Sequence, residues 1–296
     1  MLVYQLSIVT DMIGNFQNQR ESVLRDRFCG IGRHIADRDA ARFGGVKIDI
    51  VVAGRGHTDE FEIRTGFDDF FGELHLGSED GIRVFDCRND ILRRDAVIGD
   101  KIAELRAILD LDGAPERTAV CILADKEETG SDGVSGMQSQ AFEAFMADLC
   151  EQQDVALRHC FAKSFCLSAD VCAAYDPSFP EVSAKRTEAK LNYGMGICKF
   201  TGARGKSGTS DASAELVAYL RRLFADNGVV WQLSEMGKVD QGGGGTIAKF
   251  MADRNIDTID AGVPVLSMHA PFELVSKFDC WMTYRGVLAA YCDTQA

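Results

Sequence analysis

The sequence predicts an α/β/α sandwich around a mixed, mostly parallel sheet, and three features carry that prediction. Predominantly apolar runs at 46–53, 120–125 and 164–171 have the length and composition of buried strands. Segments such as 98–109 and 142–149 repeat apolar residues at helical spacing instead. Strands that alternate with helices need helices over both faces of one sheet, which is a layered architecture.

Size and composition agree. The chain has 296 residues, enough for one large α/β domain or two modest ones and read as one over 1–296, with 46% hydrophobic and 26% charged residues. No apolar run approaches the ~18 residues of a membrane span. The start M-L-V-Y-Q-L-S-I-V-T-D lacks a basic segment and meets Asp11 early, so it is not read as a signal peptide. A net charge of −13 argues against nucleic acid as partner, since phosphates require basic surface. None of the ten cysteines forms a C-x-x-C pair, which excludes a thiolate zinc motif and fits a reducing cytoplasm.

Taken in order, residues 14–42 are polar and weakly periodic and read as helix. V-K-I-D-I-V-V-A at 46–53 sits between glycines, reads as a strand, and runs into G-R-G-H-T-D, with His57 and Asp59 just past its end. Residues 60–97 mix glycines, acids and aromatics without a period. Ile98, Ile102, Leu105 and Leu109 then mark a helix. The strand at 120–125 delivers Asp125, Glu127 and Glu128, and the Gly/Ser-rich 130–136 is loop by composition. Phe142, Phe145, Met146 and Leu149 form one face of a helix, and 164–171 is a strand that exposes Asp170 in S-A-D.

Two prolines make 176–180 a loop, and 191–201 is a further strand. The basic loop after it fails as a phosphate loop, because Phe200 stands where G-x-x-x-x-G-K-[ST] needs its first glycine. Ser210 or Asp211 caps a helix with Leu216, Leu220, Leu223 and Phe224 inward, closed by Asn227 and Gly228. Residues 229–233 form a short strand. The four glycines at 242–245 precede a short helix from Thr246 and bring backbone N–H groups toward a carboxylate or carbonyl; a tight turn is the alternative. The last strand, 260–268, delivers His269, and a helix over 273–291 closes the chain.

His57, Glu127, Glu128, Asp170 and His269 all follow predicted strands, where ligands collect in open α/β sheets. Adjacent carboxylates at a buried strand end are costly to leave unpaired, and cations offset that cost. Each feature alone also reads as a solvated acidic turn or a surface His-Asp turn. Together, oxygen and imidazole donors without thiolates suit catalytic zinc, or manganese or cobalt in its place. Asp59, two residues after His57, is placed to orient the ring or support a nearby metal.

D-K-E-E-T-G-S-D-G-V-S-G-M-Q-S, S-A-D-V-x-x-x-x-D-P, G-K-V-D-Q-G-G-G-G-T and V-P-V-L-S-M-H-A-P resemble the aspartyl aminopeptidase family, di-zinc exopeptidases related to vacuolar aminopeptidase I. N-Y-G-M-G-I-C-K-F-T-G-A-R-G-K-S-G-T-S-D-A-S-A-E is similar to its bacterial branch, and the likeness covers about residues 98–291. The resemblance implies the zinc-exopeptidase sandwich, two divalent metal ions, peptide substrates and a homo-oligomer. It implies Glu127 as general base and Glu128, Asp170, His269 and His57 as metal ligands, with Asp59 in support. H-T-D departs from the family's H-T-D-S-P, since Glu60 and Phe61 replace Ser-Pro.

The family's long inserted oligomerisation domain and its Q-D-D-R motif, whose aspartate bridges both metals, are not matched. Residues 60–97 read as a remnant of that insert, and Asp95 or Asp100 stands in for the bridging acid. The implied reaction is hydrolysis of a peptide's first bond by metal-activated water. Amides near Gly243 and Gly244 meet substrate backbone, and a preference for acidic residues requires a cation such as Lys238, Lys206 or Arg204. The alternatives are a shortened, inactive subunit serving assembly, motivated by the missing aspartate, and a di-metal deacylase or carboxypeptidase.

Overall fold

A computed structural model of the chain describes residues 3–10, 49–53, 91–93, 96–183, 187–199, 201, 208, 210–238, 244–270 and 272–294. The main sheet has seven strands: β1 (Val3–Thr10), β2 (Asp49–Ala53), β4 (Thr118–Asp125), β5 (Ser164–Ala169), β7 (Met195–Cys198), β8 (Trp231–Leu233) and β9 (Asp257–Gly262). Their spatial order is β2-β4-β1-β5-β9-β7-β8. A second sheet of four short strands has the order β3 (Ile91–Arg93), β11 (Leu274–Ser276), β10 (Pro264–Leu266) and β6 (Cys172–Ala173).

Side chains alternate across β4, and both faces are covered. Ala119 and Cys121 point into a core shared with α1 (Ala96–Leu109), α4 (Ala214–Asp226) and α6 (Lys277–Cys292). Val120, Ile122 and Ala124 point into the opposite core, filled by Phe142 and Met146 of α2 (Ala141–Glu151), Phe161 of α3 (Leu157–Ala162) and Met251 of α5 (Ala248–Ala252). Burial on both faces is why this strand reads as a continuous apolar run. The three-layer α/β/α sandwich is thus the observed fold. The sheet is mixed, but among the described strands it leans antiparallel rather than parallel: β5–β9 and β7–β8 are parallel, and the other four pairs are antiparallel.

Most of that lean comes from the two strands nearest the N-terminus. V-Y-Q-L-S-I-V-T, rich in β-branched and aromatic residues, forms β1 in the middle of the sheet. It runs antiparallel to β4 on one side and to β5 on the other. β4 and β5 therefore point the same way and end at the same edge.

The expected strand at 260–268 is broken in two. Pro264 has no N–H to continue a ladder, and the chain passes from β9 in the main sheet to β10 in the second. β5 and β6 make the same passage alongside it. The pairs Phe165–Asp257 and Cys172–Pro264 share one sequence offset, so both chains cross between sheets in register, with Asp170 in one crossing. Residues 274–276 form β11 rather than the start of the final helix, which begins at Lys277 with Ser276 as its cap. Ser213, not Ser210 or Asp211, caps α4, accepting the Leu216 amide at 3.0 Å. Of the stretch 60–97, residues 91–93 form β3, paired with β11, and Ala96 opens α1. The predicted helix at 14–42 lies outside the described residues. Among the described residues no helix is long and apolar enough to cross a membrane.

Candidate functional site

The candidate site lies at the edge of the main sheet where β4 and β5 end. Asp125 closes β4 with its carboxyl buried, and Ser135 Oγ donates to its Oδ2 at 3.0 Å. Lys126 then turns the chain in the left-handed region (φ 62°), leading into a single 3-10 turn, Glu127–Thr129, that ends at Gly130 (φ 88°). The Lys126 carbonyl accepts the amides of Thr129 (3.2 Å) and Ser131 (2.7 Å).

The loop then folds back on that turn. Gln138 Nε2 donates to the Gly130 carbonyl at 2.7 Å and to Asp132 Oδ1 at 3.0 Å, while its amide donates to the Ser131 carbonyl at 3.2 Å. Gly136 runs so close to Ser131 that a Cβ there would fall 1.9 Å from the Ser131 carbonyl oxygen; only glycine fits. The Gly/Ser-rich segment is therefore a bonded knot that presents Glu127 half-buried and Glu128 outward.

His269 reaches this knot from the far side. It follows β10 in a turn where Ser267 and His269 both have positive φ, and the Ala270 amide donates to the Ser267 carbonyl at 2.9 Å. The His269 amide donates to Glu273 Oε1 at 2.7 Å. Its Nδ1 lies 3.6 Å from Glu128 Oε1, within ion-pair range and too long for a direct hydrogen bond. Both side chains reach solvent, His269 at 66% and Glu128 at 33% exposure.

Asp170 is half-buried at the crossing from β5 to β6, two strands over from β4 and the Glu127–Glu128 turn, with β1 between. Among the described residues no three His, Cys, Asp or Glu side chains converge on one point. His57, Asp59, Asp95 and Gly243 lie outside the described residues. The strand that leads toward His57 runs antiparallel to β4, so Ala53 pairs with Ala119, at the opposite end of β4 from Glu127. Exit from that strand does not by itself deliver a ligand to this edge. Gly244 has open space around it, so no described neighbour requires glycine there. Lys238 is exposed, with its amide bonded to the Val182 carbonyl at 3.1 Å.

Two features of this region escaped the sequence reading. Asp260 on β9 is buried, and Thr201 Oγ1 donates to its Oδ2 at 3.3 Å; Thr201 and Thr246 hydroxyls lie 3.3 Å apart. Burial pushes the Asp260 carboxyl up to about 6, against the lowering effect of hydrogen bonds from Thr246, Ser168 and Thr201. Arg254, just after α5, binds the end of the knotted loop. The only sequence signal for Asp260 is an acid within an apolar run; Arg254 has none, because all its partners but one are distant in sequence.

A carboxylate and an imidazole 3.6 Å apart beyond strand ends of an α/β/α sandwich are donor types suited to metal-assisted hydrolysis. Residues 101–290 match the model of the M18 peptidase family, described as aminopeptidase I zinc metalloprotease, and the chain belongs to that family. A probable M18 family aminopeptidase 1 of Borreliella afzelii is 45% identical over 201 residues, 65% of this chain and 44% of that protein. The crystal structure of aminopeptidase I from Clostridium acetobutylicum superposes with a TM-score of 0.65 at 41% identity, over 71% of this chain and 46% of that one. The yeast mApe1 dodecamer shares the fold at 22% identity, with a TM-score of 0.58 over 70% of this chain and 47% of that one. The chain spans less than half the length of these relatives.

Proposed function

We propose that this chain is a metal-dependent aminopeptidase that removes the N-terminal residue of a peptide, with Glu127 as general base. The observation that carries the reading is the approach of His269 Nδ1 to Glu128 Oε1, 3.6 Å apart at the edge where β4 and β5 end. The donor set fits zinc in kind, carboxylate and imidazole without thiolate, and membership of a zinc metalloprotease family supports the choice. Glu128, Asp170 and His269, with His57 and Asp95 from outside the described residues, would hold two divalent ions, zinc or else cobalt or manganese. Such ions, when bound, polarise a carbonyl and bring the pKa of water toward neutrality.

The chain's own residues do the rest. Glu127 takes a proton from the attacking water on its carboxylate and hands it to the leaving amine. The knotted loop fixes the backbone of the turn that carries Glu127, which matters because general-base catalysis depends on hydrogen-bond reach. Asp59 orients His57, the amides at Gly243 and Gly244 meet the peptide backbone, and Lys238 supplies a cation for an acidic side chain. Self-association and a reducing cytoplasmic setting belong to the same proposal; the eight described cysteines are outside any disulfide, and seven of them are buried.

The test is hydrolysis of aminoacyl-anilides by the purified chain with zinc, cobalt or manganese added. Free α-amines should be required, and a blocked substrate that is still cleaved would turn the reading to a deacylase. Glu127→Gln should keep the metal while kcat falls by about 10²–10⁴-fold. Full turnover by that variant would remove Glu127 from its role.

A further inference from the structure

We infer that Arg254 is a positioning residue for the loop that carries Glu127 and Glu128. The inference rests on the reading of those two acids as site residues. Arg254 is mostly buried, at 13% side-chain exposure. Its Nε donates to Glu143 Oε1 on α2 at 2.7 Å, and its Nη1 to the Phe250 carbonyl on α5 at 2.6 Å. These two short bonds fix the guanidinium plane. Nη2 then faces the carbonyls of Met137 (3.3 Å) and Ser139 (3.4 Å), at the end of the knotted loop.

Those two carbonyls flank Gln138, the residue that closes the knot. Gln138 holds Gly130 through its side chain and Ser131 through its amide, and Gly130 ends the turn that presents Glu127 and Glu128. The path from guanidinium to the backbone of Glu127 is thus three bonded steps long, the last being the Gly130 amide on the Glu127 carbonyl. Met137 strengthens the anchorage, because its side chain is fully buried in the same core as Met251 of α5. Through the Phe250 carbonyl the same side chain also ties the loop's end to α5. Only a planar fork with several donors reaches a carboxylate and three carbonyls at once; a lysine ammonium is a point charge and does not.

The test uses amide hydrogen exchange on the full chain, comparing wild type with Arg254→Met and Arg254→Lys, and reads residues 130–139 against the β4 core at 119–124. Arg254→Met should speed exchange in 130–139 by about tenfold or more, the effect of losing one or two ordinary hydrogen bonds, with 119–124 unchanged. Arg254→Lys retains the pair with Glu143 and should show the same local loss, and it carries the test if the methionine variant does not fold. In the zinc-loaded protein kcat/KM should fall by about tenfold or more with misplacement of the base, and added guanidinium should restore part of it to Arg254→Met. Unchanged exchange in 130–139, or equal acceleration in 130–139 and 119–124, would overturn the assignment. Absence of turnover in wild type would strike the functional reading alone, since the exchange result decides the role of Arg254 without it.

Discussion

Replacing Asp279 with asparagine should change how stability depends on pH, and the structure sets the size of the change. Asp279 is the third residue of α6, fully buried, and its carboxylate accepts the amides of Asn192 and Gly194, each at 2.7 Å. A helix N-terminus and two N–H donors favour the charged form. Burial opposes them and prevails, raising the group from 3.8 to about 7. Between those values the unfolded chain has released this proton while the folded chain keeps it. Stability therefore falls as pH rises from about 4 to about 7, by roughly 4 kcal/mol for a shift of this size. An asparagine in this place has no such proton, but its amide offers one acceptor oxygen to two backbone donors, so one N–H loses its partner at a cost of about 1–3 kcal/mol. D279N should thus be the less stable protein at pH 5, with the gap closing or reversing by pH 8. Urea unfolding of both proteins between pH 4.5 and 8.5 measures this. A gap that stays constant or widens with pH would show that the two amides outweigh burial and that the carboxyl ionises in its ordinary range.

Two further outcomes follow from the site. Ser135→Ala leaves the buried Asp125 Oδ2 without its hydroxyl donor and should cost about 1–3 kcal/mol, read as a shift in the urea midpoint; a loss below about 0.5 kcal/mol would mean that water replaces the hydroxyl. His269→Ala should weaken zinc binding by about 100-fold or more in chelator competition, while thermal stability of the metal-free chain stays within about 0.5 kcal/mol because the side chain is exposed. Unchanged zinc affinity would exclude His269 as a ligand.

What the sequence disclosed and what it hid divide along the distance over which a signal acts. β4 was legible because both its faces are buried, and Glu127 and Glu128 follow it directly. The helix at 214–226 was legible because Leu216, Leu220, Leu223 and Phe224 keep one stripe. Direction in the sheet was not legible. Val3 pairs with Asp125 and Gln5 with Ala169, and nothing local in V-Y-Q-L-S-I-V-T says that it lies between those strands, or which way it runs. The boundary at Pro264 was readable in principle, since a proline inside a presumed central strand argues against that strand's continuing. The short β11 was hidden because L-V-S at 274–276 runs into the helix without a glycine or proline to mark the change. The Arg254 fork and the Ser135–Asp125 bond depend on tertiary placement alone, which periodicity does not encode.

The insertion of β1 between β4 and β5 also bears on how many ions the edge suits. Neighbouring strands lie about 4.8 Å apart, so the backbones of β4 and β5 leave the sheet about 10 Å from each other. A single zinc holds its donor atoms at about 2.0–2.2 Å, and hence within about 4 Å of one another. Glu128 and His269, at 3.6 Å, already meet that span. Asp170, beyond β1, stands at the end of the wider one. Two ions about 3.5–4 Å apart carry donor atoms across about 8 Å, which side chains on strands separated by a third can supply. For the proposed site, zinc stoichiometry by equilibrium dialysis decides the number: about two equivalents per chain is the expected outcome, and a single equivalent would refute the two-ion form.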